Sequence, residues 1–214
     1  MTFAENFNGL EPYSFYISSI KSISLPLSVT KIPYYCFAYC SATSINSFGS
    51  VTTIGEYAFR GSSLQTVVLP ETLTEIKADA FYQCGSIKQI NIPSSLITLG
   101  SDAFYFNTST SSVEREVIVD SLEKWFEVCH QAAAAFVNAK NTYLSINGEK
   151  LVNATMPEGK TEIPARAFYQ NKALVSVVIP EGYQSVNTYA FGECSNLIEV
   201  SLPSTLRSCY SDAF

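Results

Sequence analysis

Apolar positions along this 214-residue chain recur in a fixed order. In the clearest stretch Leu64, Val67 and Leu69 come first and Pro70 follows. Leu73 and Ile76 then stand three residues apart, and the unit closes on Ala80, Phe81 and Cys84. Val67 and Leu69 alternate with Thr66 and Val68, which is the period of a half-buried strand. Pro70 has no N–H to donate and ends that strand. Leu73 and Ile76 return to the same interior, small Ala80 lets the backbone close in, and Phe81 fills the middle of the turn.

The skeleton returns as Ile20, Ile23, Leu25, Pro26, Val29, Ile32, Cys36, Phe37 and Cys40. Ile87, Ile90, Ile92, Pro93, Leu96, Leu99, Ala103 and Phe104 repeat it, as do Leu174, Val177, Ile179, Pro180, Val186, Ala190, Phe191 and Cys194. A further copy begins at Leu197, Val200, Leu202 and Pro203. One unit (Ile45, Phe48, Val51, Ile54, Ala58 and Phe59) lacks the strand-ending Leu-Pro. Ala-Phe, or a close variant, places Phe15, Phe37, Phe59, Phe81, Phe104, Phe168, Phe191 and Phe214 at steps of 22, 22, 22, 23, 64, 23 and 23 residues. A unit this short cannot bury its apolar side alone, so the pattern predicts stacked coils sharing one continuous core.

The combined Ile-Pro, Ala-Phe and Cys spacing resembles the BspA-like branch of leucine-rich repeats, over residues 9–107 and 161–214. The resemblance implies an α/β repeat, a right-handed leucine-rich-repeat solenoid with a parallel β-sheet face and short helical turns opposite. It also implies kinship with large repetitive proteins of bacterial surfaces and some protozoa, some of which resemble adhesins for host matrix proteins. A cell-surface or extracellular location follows from the resemblance alone.

The 64-residue step exceeds one 23-residue unit by 41 residues, which marks an insert. Asn107 to Ser112 reads as a polar linker, and Val117 to Val119 as a strand. Asp120 or Ser121 then caps a helix through Leu122, Trp125, Phe126 and Cys129. Gln131 to Val137 reads as a second, Ala-rich helical stretch. Thr142 to Ile146, Asn147-Gly148 and an apolar run at Leu151-Val152 read as a hairpin. Interruptions of BspA-like proteins are similar, and Asp120…Trp125 and Tyr143…Asn147-Gly148-Glu149 carry that likeness. The division is therefore repeats over 1–107, a divergent helix-and-hairpin insert over 108–160 continuous with the solenoid, and repeats over 161–214. Both ends fall within a unit, which reads as a piece of a longer array. The alternative is end-to-end self-association through uncapped coils.

Charge and chemistry narrow the function. A net charge of −6 with scattered Lys and Arg offers nothing to neutralise a row of phosphates, so nucleic acid is not expected. No apolar run reaches transmembrane length, and MTFAENFNGLEPYSF has no basic head or apolar signal segment. Of the six Cys, Cys40, Cys84 and Cys194 share one repeat phase, Cys36 replaces the small Ala, and Cys209 takes the Ile76 phase. Cys40 and Cys84 stand two coils apart, roughly 9–10 Å at ~4.8 Å per strand, beyond the ~7 Å reach of a bridge. Buried free thiols are expected.

Catalytic and metal chemistry find little support. Cys129-His130 is the one Cys–His neighbourhood, and adjacent helical side chains diverge by about 100°. A metal site lacks its spaced ligands, and no phosphate loop or nucleophile elbow occurs. Glu56, Glu71, Asp79 and Asp102 read as a solvated face, and the sequons at Asn107 and Asn153 as chance. No enzyme and no cofactor are expected.

The binding candidate is the outer side of the strands: Lys21, Ser22, Ser24, Gln65, Thr66, Val68, Lys88, Gln89 and Asn91, continuing as Val175, Ser176, Val178, Ile198, Glu199 and Ser201. This ladder passes from polar and mildly basic to apolar, and Val175, Val178 and Ile198 suggest a docking patch unless a neighbouring element covers them. A module binding a protein or glycan partner is the leading reading. A spacer displaying other domains is the rival.

Overall fold

A computed structural model of the chain describes residues 7, 9–106, 113–131 and 142–214. The expected linker, the sequon at Asn107 and the Ala-rich stretch after Gln131 lie outside the described residues.

Each coil contributes one strand to a parallel sheet. Ser22–Ser24, Ser44–Ser47, Thr66–Val67, Gln89–Asn91, Arg115–Val119 and Thr142–Ile146 stand side by side, and antiparallel Glu149–Lys150 closes the row. Partners follow the repeat, with Ser22 beside Ser44, Ser44 beside Thr66, Thr66 beside Gln89, Gln89 beside Glu116 and Glu116 beside Tyr143. The alternate residues Ile23, Val67, Ile90, Val117 and Leu144 are buried. After the insert, Asn153–Thr155, Ser176–Val178 and Glu199–Ser201 form a second parallel sheet.

The opposite side is extended too. Two-residue strands at Lys31–Ile32, Thr53–Ile54, Glu75–Ile76 and Thr98–Leu99 pair in parallel, as do Glu162–Ile163, Ser185–Val186 and Ser208–Cys209. The repeat Phe rings stack along the interior at 5.1–5.5 Å from Phe15 to Phe104, and again from Phe168 to Phe214 at 5.1 and 5.4 Å. In the unit without Leu-Pro, Phe48 is buried and Gly49 takes the turn with φ 61°.

The Ala-Phe turns hold an unusual backbone. The residue two before each Phe is left-handed in all eight coils: Tyr13, Tyr35, Tyr57, Asp79, Asp102, Arg166, Tyr189 and Asp212. Tyr39, Gly61, Gln83, Gln170 and Glu193, two after Phe, are left-handed as well. A side chain there costs about 1–2 kcal/mol. The compensation is the bonding it permits. Tyr57, Phe59 and Gly61 all send their N–H groups to the next coil, reaching Ala78, Ala80 and Tyr82 carbonyls at 3.4, 2.8 and 2.8 Å. Every second residue of the turn thereby extends the stack, which leaves few backbone donors unpaired.

The insert carries the core across. Ser121 Oγ accepts the Lys124 N–H at 3.1 Å and caps the helix α1, Leu122–Gln131, the one α-helix among the described residues. Trp125, Phe126, Val128 and Cys129 face inward. Phe126 meets Phe168 edge-on at 6.4 Å, and the Trp125 indole N–H donates to Ala167 O at 2.8 Å. Lys124 Nζ donates to Leu96 O on the other side. The hairpin turns at Asn147-Gly148, both with positive φ, as a two-residue loop requires. Its returning strand is Glu149–Lys150, earlier than the apolar run at Leu151-Val152, because Asn147 and Gly148 alone make the turn.

Candidate interaction surface

The sheet face presents the expected residues unequally. Lys21, Gln65, Thr66, Val68 and Lys88 are exposed, whereas Ser22, Ser24, Gln89 and Asn91 are half-buried. Two of these amides serve the sheet itself. Gln89 Nε2 donates to Glu116 Oε2 at 2.8 Å, and Ser145 Oγ donates to the same carboxylate at 2.6 Å. Asn91 accepts from Leu69 N at 2.6 Å and donates to Leu69 O at 3.1 Å. A side-chain amide beside a neighbouring coil's backbone completes bonds that the strand, ended at Pro70, leaves open. Ser176 likewise donates to Asn153 Oδ1 at 2.7 Å.

The apolar end stands clearer of the protein. Val178 and Ile198 are 44% and 84% exposed, Val175 is half-buried, and Glu199 and Ser201 are exposed around them. The two halves of the ladder lie in different sheets, with the hairpin between them. A cleft of about 450 Å³ opens at this break, lined by Glu114, Tyr143, Lys150, Lys172 and Asn196 among others. Lys150 Nζ lies 3.0 Å from Glu114 Oε1 and 3.8 Å from the centre of the Tyr143 ring. Glu116 and Tyr143 extend the outer row, and only the neighbouring Val117-Ile-Val119 and Thr142–Ile146 signals could have pointed to them. Arg115 escapes sequence reasoning too. It is buried, donates to Gly85 O and Val113 O at 2.6 and 3.1 Å, and lies 5.4 Å above the Phe106 ring. Burial lowers its pKa.

All six cysteines are free thiols. Cys84 Sγ donates to Phe59 O at 2.9 Å and Cys194 Sγ to Phe168 O at 2.9 Å. This repeat phase therefore caps a turn carbonyl as well as filling space, and Ser62 takes the same phase with Oγ 3.3 Å from Cys84 Sγ. Burial pushes the Cys36, Cys84 and Cys194 thiols up to about 12 and raises those of Cys40 and Cys129. Cys209 departs from the expected burial: it lies exposed in the strand Ser208–Cys209, which among the described residues pairs with Ser185–Val186. In native protein near neutral pH, a thiol-reactive chromogen should therefore label Cys209 alone, and denaturant should release the other five. Rapid native labelling of Cys36 or Cys84 would contradict the packing.

The Cys129-His130 pair diverges. Cys129 is buried, while His130 lies at the surface with Nδ1 3.6 Å from Glu162 Oε1. Among the described residues no three His, Cys, Asp or Glu side chains gather to hold a metal ion. Among them, too, no helix is long and apolar enough to cross a membrane.

Parallel sheets to which each coil adds one strand, an internal Phe stack and Ala-Phe turns define a leucine-rich-repeat solenoid. The chain belongs to the BspA type leucine rich repeat region family, which matches residues 30–145 and 145–214 in six copies. Among solved structures it is similar to a leucine-rich repeat protein from Bacteroides ovatus, at 20% identity and a TM-score of 0.59, over 100% of this chain and 63% of that one. It is similar as well to the pneumococcal vaccine antigen PcpA, at 21% identity and a TM-score of 0.55, over 96% of this chain and 56% of that one. At these identities the likeness concerns the fold, and the chain spans less than two thirds of either relative. No curated protein matches.

Proposed function

We propose that the chain is a non-catalytic module of a cell-surface or secreted protein and binds a protein or glycan partner through the outer side of its strands. Membership of the BspA-type family supports a recognition role, because such repeats hold a rigid surface in register over many coils. The observation that carries the reading furthest is the exposure of Val178 and Ile198 on that rigid surface, rimmed by Glu199 and Ser201. Exposed apolar side chains within a polar rim are the usual form of an interaction site.

The test is binding to immobilised host extracellular matrix, comparing the parent with Val178→Asp and Ile198→Asp. A charge placed in a desolvated contact is expected to weaken binding by roughly tenfold or more. Unchanged binding by both variants would remove the site and favour a spacer role. End-to-end self-association is proposed from an apolar hollow of about 300 Å³ lined by Leu197, Ile198, Leu202 and Phe214. Sedimentation velocity on the parent and Phe214→Asp, which leaves Val178 and Ile198 in place, separates this from partner binding, and a parent that stays monomeric as concentration rises would contradict it.

A further inference from the structure

The Ala-Phe turns present a second surface, away from the strand residues discussed above. The left-handed position two before Phe reads Tyr13, Tyr35, Tyr57, Asp79, Asp102 through the first block. Tyr13 and Tyr35 stack at 5.3 Å, and Tyr35 and Tyr57 lie 4.9 Å apart. Tyr34 stands edge-on to both Tyr13 and Tyr57, at 80° and 84°, and Tyr13 and Tyr34 are 48% and 40% exposed. Three aromatic rungs thus give way to two carboxylates along one line.

The row already holds one cation of its own. The Arg60 guanidinium lies 5.2 Å from the Tyr57 ring centre and 5.1 Å from that of Tyr82, and its Nη1 donates to Tyr35 Oη at 3.1 Å. Beyond it negative charge is crowded. Burial holds the Asp79 carboxyl above its ordinary range, and Asp102 and Glu56 add to this while Tyr57 and Arg60 oppose it. Tyrosine faces attract cations, and a second positive charge beside Asp79 would relieve the repulsion among these carboxylates.

We propose that the Tyr13–Asp102 row docks a basic segment of a partner protein, with one Arg or Lys on the exposed Tyr13 and Tyr34 rings and another against Asp79 and Asp102. Charge complementarity selects this partner over a neutral sugar polymer, which would gain little from crowded carboxylates. Geometry sets its spacing. Tyr13 and Asp79 are three coils apart, roughly 14–15 Å at ~4.8 Å per strand, which an extended chain at ~3.3 Å per residue covers in about four residues.

Fluorescence anisotropy at low ionic strength tests this with a labelled probe, Gly-Arg-Gly-Ser-Gly-Arg-Gly, and a control carrying Ser at both Arg positions. The Arg probe should bind saturably and the Ser probe should not. Tyr34→Ala and Asp79→Asn should each weaken binding by roughly tenfold. Asn tolerates the left-handed backbone, so Asp79→Asn keeps the fold. Glu158→Gln removes the same charge from an exposed turn in the other block and should leave affinity unchanged. The proposal fails if Glu158→Gln weakens binding as much as Asp79→Asn, or if the Ser probe binds equally. Absence of saturable binding by the Arg probe, or its displacement by neutral β-linked gluco-oligosaccharides, also overturns it.

Discussion

Phe59→Ala is expected to cost about 3–5 kcal/mol, the usual penalty for emptying a fully buried aromatic site. Phe59 is 0% exposed and lies between Phe37 at 5.5 Å and Phe81 at 5.1 Å. Both neighbouring coils hold their backbones by turn hydrogen bonds, so they cannot collapse into the vacancy. A loss of that size is a large part of the stability of an ordinary domain. Phe214→Ala is the internal comparison, because Phe214 is 48% exposed and stacks on Phe191. Urea denaturation followed by circular dichroism should rank the two costs clearly, and equal costs would contradict the ladder.

Gly100→Ala should be the second severe change, although it adds a single methyl group. A Cβ at Gly100 would lie 2.2 Å from Ala78 N and 2.5 Å from Lys77 C, both backbone atoms of the preceding coil. Gly100 N also donates to Ile76 O at 2.8 Å, so relief requires parting two coils that this bond joins. Overpacking typically costs about 1–3 kcal/mol, and backbone contacts place this case at the upper end. At Gly85 the nearest atom to an added Cβ is Phe106 O at 3.6 Å, and Gly85→Ala should be close to neutral. Midpoints in the same urea series check the pair. A tolerated Gly100→Ala would mean that the coils sit farther apart than described.

The repeat was legible because its cause is local. The alternation at Val67 and Leu69, the stop at Pro70 and the recurrent Ala-Phe all state a contact that the next coil must complete. The α-helix was legible from a cap at Asp120 or Ser121 and the spacing of Leu122, Trp125, Phe126 and Cys129, and Ser121 makes the capping bond. The left-handed turns were not, because Tyr57 and Arg166 are ordinary choices for a right-handed or extended backbone. Only hydrogen bonding between coils selects their conformation. The capping role of Cys84 and Cys194 was hidden for the same reason, since the accepting carbonyls lie 25 and 26 residues away. On the sheet face, alternation with buried Val177 and Ile179 puts Val178 outside, and Ile198 is exposed just before the strand Glu199–Ser201. Alternation could not foresee that Gln89 and Asn91 spend their amides on neighbouring strands, or that the hairpin parts the ladder in two. Arg115 shows the converse: a charged side chain is seldom fully buried, yet the strand register buries this one.

The central claim is that one stacked core runs from the first coil to the last, with the insert bridging it. Trp125 is the sole tryptophan, is 6% exposed, and bonds across from α1 to Ala167 in the following array. Its fluorescence therefore reports the junction, whereas far-ultraviolet circular dichroism reports the coils as a whole. Equilibrium unfolding in urea followed by both signals should give one transition with a common midpoint. Two separated transitions, or a Trp125 signal that changes while the ellipticity is still native, would mean that the arrays fold independently and that the bridging core does not hold.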